Sequence, residues 1–187
     1  ACSILVVVAV GQTFVIITAG IDLAIGSMVQ LSSVMVGLLV SHKMGIPLGI
    51  ASAILMTAAM GVASGLVVTK GKITDFIATL GMLSIAQGLA LVISNARPVT
   101  VFSPFMSAIA GGKVGPIPVI TLIALVIAIS AHFLLFHTRF GTHLFAVGGN
   151  AEGAKNMGLK VERIKITSFV TSGIRAGIGG ILLTARI

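Results

Sequence analysis

Residues 117–136 read IPVITLIALVIAISAHFLLF, a continuous stretch with no Asp, Glu, Lys or Arg. Its apolar residues do not alternate with polar ones, as they would in a transmembrane β-strand. A bilayer core about 30 Å thick is crossed by a helix of about 20 apolar residues. A helix also satisfies its own backbone hydrogen bonds in lipid. The stretch therefore predicts a transmembrane helix and an all-α membrane protein.

Similar charge-poor windows recur along the whole chain. Hydrophobic residues make up 57% of the sequence and charged residues 9%, whereas a soluble domain carries about a quarter charged residues. We therefore predict a polytopic transmembrane helix bundle in which residues 1–187 form one domain. Both ends fall inside apolar runs, so we expect an internal part of a longer protein. The six predicted spans are 1–21, 23–41, 44–69, 76–96, 114–136 and 166–185.

The basic residues predict how the bundle is oriented. Lys70 and Lys72 fall between the third and fourth spans, and five more basic residues fall within 138–165. These two loops lie on one side if the fourth and fifth spans each cross once. The positive-inside rule places that side in the cytoplasm and residues 97–113 outside. The loops on the other side carry only three basic residues: Lys43, Arg97 and Lys113.

Small residues four positions apart predict where helices pack closely. Such spacing lets the backbones of two membrane helices approach each other. We interpret these residues as packing positions of a dense bundle rather than as hinges. They are Gly61 with Gly65, Gly173 with Gly177, and Ala176 with Gly180.

The charged segment 138–165, TRFGTHLFAVGGNAEGAKNMGLKVERIK, differs from everything around it. Asn150 is a suitable N-cap, and Glu152 suits the start of a helix. Gly158 is suited to end that helix. We predict a loop with a tight turn at Gly148–Gly149, followed by a short helix over 151–157. Such a helix could dock a soluble partner, or the segment could simply be a solvated loop.

No catalytic or nucleotide-binding motif is present in the sequence. The two Gly-Lys pairs, at 71–72 and 112–113, lack the upstream glycine and the following Ser or Thr of a phosphate-binding loop. The four histidines have no metal-ligand spacing. Trp and Tyr are absent, so no aromatic platform is available for nucleic acid. We predict a protein that is not an enzyme and has no cofactor, metal or nucleic-acid partner.

Asp22 is the one carboxylate in a deeply apolar context. An ionisable group within the membrane suggests a functional site, and an ion-coupled secondary transporter would use such a residue. Alternatively, Asp22 lies between Gly20 and Gly26 and could cap a broken helix by accepting hydrogen bonds from freed amides.

Three separated motifs resemble the ribose-type sugar permeases of bacterial ABC importers. They are GIDLAIGSM at 20–28, DFIATLGMLSIAQGLALVISNARPV at 75–99, and the 138–165 segment with its continuation ITSFVTSG. The resemblance covers essentially the whole chain and implies the middle part of a longer permease. Arg175 departs from it, because an aliphatic residue is expected there. This charge is expected either to face the interior of a dimer or to compromise the protein.

The resemblance implies a multi-pass permease subunit of the bacterial inner membrane. It would pair with a second copy of itself in the lipid membrane, with a cytoplasmic ABC ATPase and with a periplasmic sugar-binding protein that docks near 97–100. Segment 138–165 would be the cytoplasmic coupling segment. The implied contacts with the ATPase are Gly149, Asn150, Glu152, Ala154 and Gly158.

A neutral sugar such as ribose would also need hydrogen-bond partners along an apolar path. Thr79 and Gln87 are eight residues apart and are expected to share one helix face. Buried polar groups that satisfy one another are the alternative interpretation. The candidate path residues are Gln12, Thr13, Asp22, Thr79, Gln87 and Asn95.

Overall fold

Helices form nearly all of the computed structural model, which describes residues 2–99, 101 and 103–186. Two short strands pair as an antiparallel hairpin, with Val114 opposite Ile117. The elements in chain order are α1 Cys2–Ile17, α2 Ile25–Ser41, α3 Ile46–Thr69, α4 Asp75–Ser94, α5 Pro104–Gly111, β1 Lys113–Val114, β2 Ile117–Pro118, α6 Val119–Phe136, α7 Arg139–Gly149, α8 Ala151–Asn156 and α9 Val161–Arg186.

Four of the helices are long and apolar enough to cross a membrane: α3, α4, α6 and α9. The apolar helices α1 and α2 are shorter, with 16 and 17 residues. They are separated by a non-helical break over residues 18–24. This architecture confirms the prediction of an all-α polytopic membrane protein. It also shows that the first two predicted spans, 1–21 and 23–41, are each shortened by the break.

The two most basic loops lie on the same side of the bundle. A cavity there is lined by residues from both loops, including Lys72, Asp75, Ala151, Glu162 and Lys165. At the other end, Val99 and Val101 contact Gly37 near the end of α2. The prediction that the two basic loops share one side is confirmed. We call that side the basic face and the side of residues 97–101 the opposite face.

Helix α9 lies at the centre of the bundle and contacts α1, α2, α3 and α5. Glycines of α9 and of its neighbour α3 allow the helices to pack in direct contact. A Cβ atom on Gly65 would lie 2.8 Å from the Ile166 Cα atom, and one on Gly177 would lie 2.6 Å from the Thr57 Oγ1 atom. On another side of α9, a Cβ atom on Gly180 would lie 2.5 Å from the Val29 carbonyl oxygen. The predicted packing role of these glycines is confirmed.

Two regions differ from the sequence prediction. Residues 139–149 form helix α7 rather than a loop, and Gly148–Gly149 belong to that helix instead of a tight turn. The predicted span 114–136 begins only at Val119, because residues 113–118 form the hairpin. Helix α5 was not predicted. Its proline lies at the start of the helix, where the missing backbone N–H costs nothing.

The close contact of α3 with α9 gives a stability prediction. A Cβ atom on Gly61 would lie 2.5 Å from the Phe169 carbonyl oxygen, so Gly61→Ala forces two helix backbones apart. We expect a loss of about 1–3 kcal/mol, as for other overpacked sites. The measurement is the midpoint of thermal unfolding of the full-length protein in detergent.

Gly88→Ala in α4 is the matched control, because nothing lies within 4 Å of a Cβ atom there. It should leave the midpoint unchanged or raise it slightly, since Ala has the better helix propensity. Equal midpoints for the two variants would contradict direct backbone contact between α3 and α9.

Candidate coupling site and polar groove

The short helix α8 is built around Asn150. This residue ends α7 and begins α8 with an extended backbone (φ −156°, ψ 97°). Its Oδ1 atom accepts a hydrogen bond from the Gly153 backbone N–H at 2.8 Å. Gly158, with φ +84°, reverses the chain after α8, a conformation that glycine adopts without strain. Both ends of the predicted short helix are therefore as the sequence indicated.

Helix α7 holds α8 against the bundle through two glycines. Gly141 packs directly on the Leu135 carbonyl group near the end of α6. Gly148 packs on the Ile17 carbonyl group at the end of α1. A side chain at either position would collide with backbone. Glycine is a poor helix former, but at these two positions it allows α7 to lie directly against the ends of α6 and α1.

The residues implied as ATPase contacts divide into exposed and buried ones. Gly149, Asn150, Glu152 and Gly158 are exposed, and a Cβ atom on Gly149 would have nothing within 4 Å. Ala154 is only 1% exposed. It packs in an apolar cluster that includes Phe14, Leu144 and Ile164, so its side chain fixes α8 to the bundle and is not available to a partner.

The break between α1 and α2 contains a buried polar junction. Asp22 is 3% exposed. Its Oδ1 atom accepts from the Ala24 backbone N–H at 3.0 Å, and its Oδ2 atom accepts from the Ser172 hydroxyl at 2.9 Å. The interpretation of Asp22 as an acceptor for freed amides at a broken helix agrees with this geometry. Ser172 lies roughly 16 Å along α9 from Val161, at about 1.5 Å per residue.

Further polar groups surround this junction. The Thr18 and Ser168 hydroxyl oxygens lie 3.4 Å apart, and the Thr79 hydroxyl lies 3.4 Å from the Ile21 carbonyl oxygen. The Asp75 Oδ2 atom is buried without a hydrogen-bond partner and lies 2.8 Å from where a Cβ atom on Gly20 would be. Asp75, far from Asp22 in sequence, is thus brought to the same turn.

Arg175 is half-buried and lies against helix α1. Its guanidinium carbon is 4.2 Å from the centre of the Phe14 ring, an arrangement in which the ring face attracts the cation. One guanidinium nitrogen donates to the Thr171 carbonyl oxygen at 3.2 Å, while its Nε atom is buried without a partner. The Phe14 ring in turn stacks on Phe140 of α7.

The predicted path residues do not converge on one cavity. Thr79 is fully buried, while Gln87 is exposed. The expectation that they share a face is wrong, because eight residues rotate a helix by about 80° beyond two full turns. Gln12 is half-buried with an unpartnered Oε1 atom. Thr13 is exposed and donates to the Ala9 carbonyl oxygen.

A groove between α2 and α4 collects polar groups that the sequence analysis did not select. It has a volume of about 330 Å³ and is lined by Gln30, Ser33, Ser94 and Arg97, among others, with no carboxylate. Gln87 lies one turn before the lining residue Leu91 on the same helix. The sequence contained one signal for this groove: Gln30 and Ser33 are three residues apart, which places them on one face of α2.

Two other predicted positions lie at the opposite face. Asn95 ends α4 in a left-handed conformation, with φ +51°, and is exposed. The predicted docking turn 97–100 is described only as far as Val99; Thr100 lies outside the described residues. Among the residues that the structure describes, no group of three His, Cys, Asp or Glu side chains could hold a metal ion.

The fold and these features define a multi-pass membrane protein with a helix mounted on its basic face. The chain belongs to the family described as branched-chain amino acid transport system / permease component, which matches residues 1–187. No solved structure matches the chain.

Curated relatives are sugar permeases. The chain is 32% identical to the ribose import permease protein RbsC of Escherichia coli (strain K12), over 99% of the chain and 59% of that protein. It is 34% identical to the L-arabinose ABC transporter permease protein AraH of Azospirillum brasilense, over 96% and 53%. It is 33% identical to the D-allose transport system permease protein AlsC of Escherichia coli (strain K12), over 99% and 57%. The chain therefore spans between half and three-fifths of the length of these relatives.

The two hydrogen bonds accepted by Asp22 give a second stability prediction. Asp22→Asn keeps an acceptor for the Ala24 N–H and a partner for Ser172, so the unfolding midpoint should stay close to that of the wild type. Asp22→Leu leaves both groups unsatisfied in the interior, at a cost of about 1–3 kcal/mol for each buried polar group. Thermal unfolding of the full-length protein in detergent measures both.

The amide variant is the critical comparison. If Asp22→Asn lowered the midpoint as much as Asp22→Leu, the negative charge itself would be required, and the capping interpretation would be wrong. Ser172→Ala removes one of the two donors and should give an intermediate loss.

Proposed function

We propose that this chain is part of the permease subunit of an ATP-driven importer that moves a monosaccharide such as ribose across the bacterial inner membrane. The main support for the proposal is the capped helix α8, which lies exposed on the basic face and packs against the bundle through the buried side chain of Ala154. The names of the relatives, which refer to ribose, arabinose and allose, support the same class of cargo.

In this proposal segment 138–165 is the coupling segment and the basic face is cytoplasmic, in keeping with the positive-inside rule. An ABC ATPase on a separate chain hydrolyses ATP and binds α8. Its contacts are Gly149, Asn150, Glu152 and Gly158. The groove beside α8 has a volume of about 660 Å³ and carries charges of both signs, including Glu152, Lys155 and Arg163. Charges of both signs favour a specific protein partner.

Movement of α8 would reach the membrane helices through α7. Gly148 of α7 rests on the last residue of α1, and the break that follows α1 leads to Asp22 and its bond to α9. A displacement of α8 is therefore passed to α1 and α9 by direct contact. A second permease copy would complete the pathway, and a periplasmic sugar-binding protein would deliver its cargo near Arg97 at the opposite face.

The groove between α2 and α4 is the proposed outer part of the sugar path. Sugar hydroxyls require both donors and acceptors, which the amide of Gln30 supplies in the groove and the amide of Gln87 supplies one turn away on α4. Asn95 lies between the lining residues Ser94 and Ala96. The other candidates, Gln12, Thr13, Asp22 and Thr79, would contribute at other depths of the path. The absence of a carboxylate from this groove suits a neutral cargo better than a cation.

An ion-coupled carrier built on Asp22 is less well supported. Both carboxylate oxygens of Asp22 accept hydrogen bonds within the chain, so a structural role already accounts for its burial. The names of the relatives describe an import permease, an ABC transporter permease and a transport-system permease.

Coupling through α8 can be tested by changing its exposed residues. We expect Glu152→Arg and Gly149→Trp in the full-length permease to lose the ATPase in a detergent pull-down and to lose sugar uptake in cells. Reversing one charge at an interface typically changes binding by several kcal/mol where like charges meet. The space beside Gly149 admits a tryptophan without disturbing α7, so the loss should come from the partner side.

Lys70→Glu is the control, because it reverses one exposed charge on the same face but outside the coupling segment. It should retain both the ATPase and uptake. Full retention of ATPase binding and uptake by both α8 variants would show that α8 is not the coupling helix.

The proposed sugar groove is tested separately. Gln30→Leu and Gln87→Leu should lower sugar uptake about tenfold or more, since each removes groups that pair with hydroxyls and leaves the cargo unsatisfied. Binding of the ATPase should be unchanged in both. Ser130→Leu, an exposed polar-to-apolar change in α6 away from the groove, should leave uptake intact. Normal uptake by the double glutamine variant would remove the groove from the pathway.

A further inference from the structure

A second cavity on the basic face borders the proposed coupling site, with which it shares Gly158 and Arg163. It lies between α7 and the start of α9 and has a volume of about 350 Å³. Phe140, Leu159 and Ile164 form its apolar part, and Gly158 gives it an open edge. The rest of its lining comes from His143, Lys160, Arg163 and Thr167.

The charges of this cavity all have one sign. Lys160 and Arg163 are both exposed, and no carboxylate lines the cavity. Residues 160, 163, 164 and 167 follow the spacing of one helix face, so the two cations point to the same space. The Thr167 hydroxyl beside them already donates to the Arg163 carbonyl oxygen at 2.7 Å. His143 approaches from α7. The neighbouring groove at α8 differs, because Glu152 and Glu162 line it.

The cavity lies at the level where the membrane helices end. Phe140 is in the first turn of α7, directly after α6, and Thr167 is roughly 9 Å along α9 from Val161 at about 1.5 Å per residue. Ile166 of α9 contacts Gly65 in the last turns of α3. Nearby, Phe136 and Phe145 leave much of their rings exposed, 63% and 43%, as expected for side chains covered by lipid.

We propose that this cavity binds the headgroup phosphate of an anionic phospholipid. Lys160, Arg163 and His143 would hold the phosphate, and the apolar part would receive the first carbons of the acyl chains. Basic pockets at the cytoplasmic ends of membrane helices are suited to such headgroups. The ATPase is the less suitable occupant, because this cavity has no carboxylate in its lining, whereas the groove at α8 has charges of both signs. This inference does not depend on which cargo the protein moves.

The test uses the full-length protein in detergent, with bound lipid counted by native mass spectrometry during titration with phosphatidylglycerol or phosphatidylcholine. Wild-type protein should retain phosphatidylglycerol in preference to phosphatidylcholine. The double variant Lys160→Gln, Arg163→Gln should bind phosphatidylglycerol roughly tenfold or more weakly, since each cation near an anionic headgroup contributes about fivefold. Both side chains are exposed, so the variant should fold.

The control is Lys70→Gln with Lys72→Gln, which removes the same charge from the same face at residues that do not line the cavity. It should retain phosphatidylglycerol as the wild type does. Three outcomes would overturn the proposal: equal loss of lipid in both double variants, displacement of the lipid by millimolar inorganic phosphate, or loss of ATPase binding with lipid binding unchanged in Lys160→Gln, Arg163→Gln.

Discussion

The backbone contact between α9 and its neighbours is the constraint on which the other features depend. In lipid, helices gain nothing by hiding apolar side chains from water, so association relies on close packing and hydrogen bonds. Gly61 and Gly65 of α3 face α9, and Gly177 and Gly180 of α9 face α3 and α2. Because these positions lack side chains, α9 can sit between several helices at once. The bond between Ser172 and Asp22 becomes possible only at that short distance.

The same helix joins the interior to the basic face. Its first turns leave the membrane beside α7 and α8, and its middle holds the break between α1 and α2 through Asp22. The other end of that break is α1, whose last residue supports Gly148 of α7. Helices α1, α7 and α9 therefore form a closed set of contacts around α8, and Ala154 fills its centre. Asn150 alone separates α8 from α7, and residues 157–160 separate α8 from α9, so little chain is available on either side to absorb a displacement of α8.

Sequence patterns predicted those features that depend on local chemistry. The apolar stretches indicated the helices, Asn150 and Gly158 marked both ends of α8, and paired glycines marked the helix contacts. Helix α7 was missed because Gly141, Gly148 and Gly149 lower its intrinsic propensity. Contacts with Leu135 and Ile17 explain Gly141 and Gly148, whereas Gly149 faces open space. The approach of Asp75 to the Asp22 turn and the polar groove at Gln30 were missed for a related reason. Both depend on which helices become neighbours, and a single sequence gives that order only weakly.

Arg175 shows how the bundle accommodates a charged residue at a position where the family resemblance implies an aliphatic one. A cation at this depth is costly unless it has partners. The Arg175 guanidinium contacts the Phe14 ring face and the Thr171 carbonyl oxygen. Gly11 leaves room for the Arg175 side chain, since a Cβ atom at Gly11 would lie 3.1 Å from the Arg175 Cβ atom. Phe14 also stacks on Phe140, which lines the basic cavity. Arg175 thus lies where α1 packs against α9, close to the start of α7. Replacing it would therefore disturb both the packing of α1 on α9 and the position of α7, which holds α8.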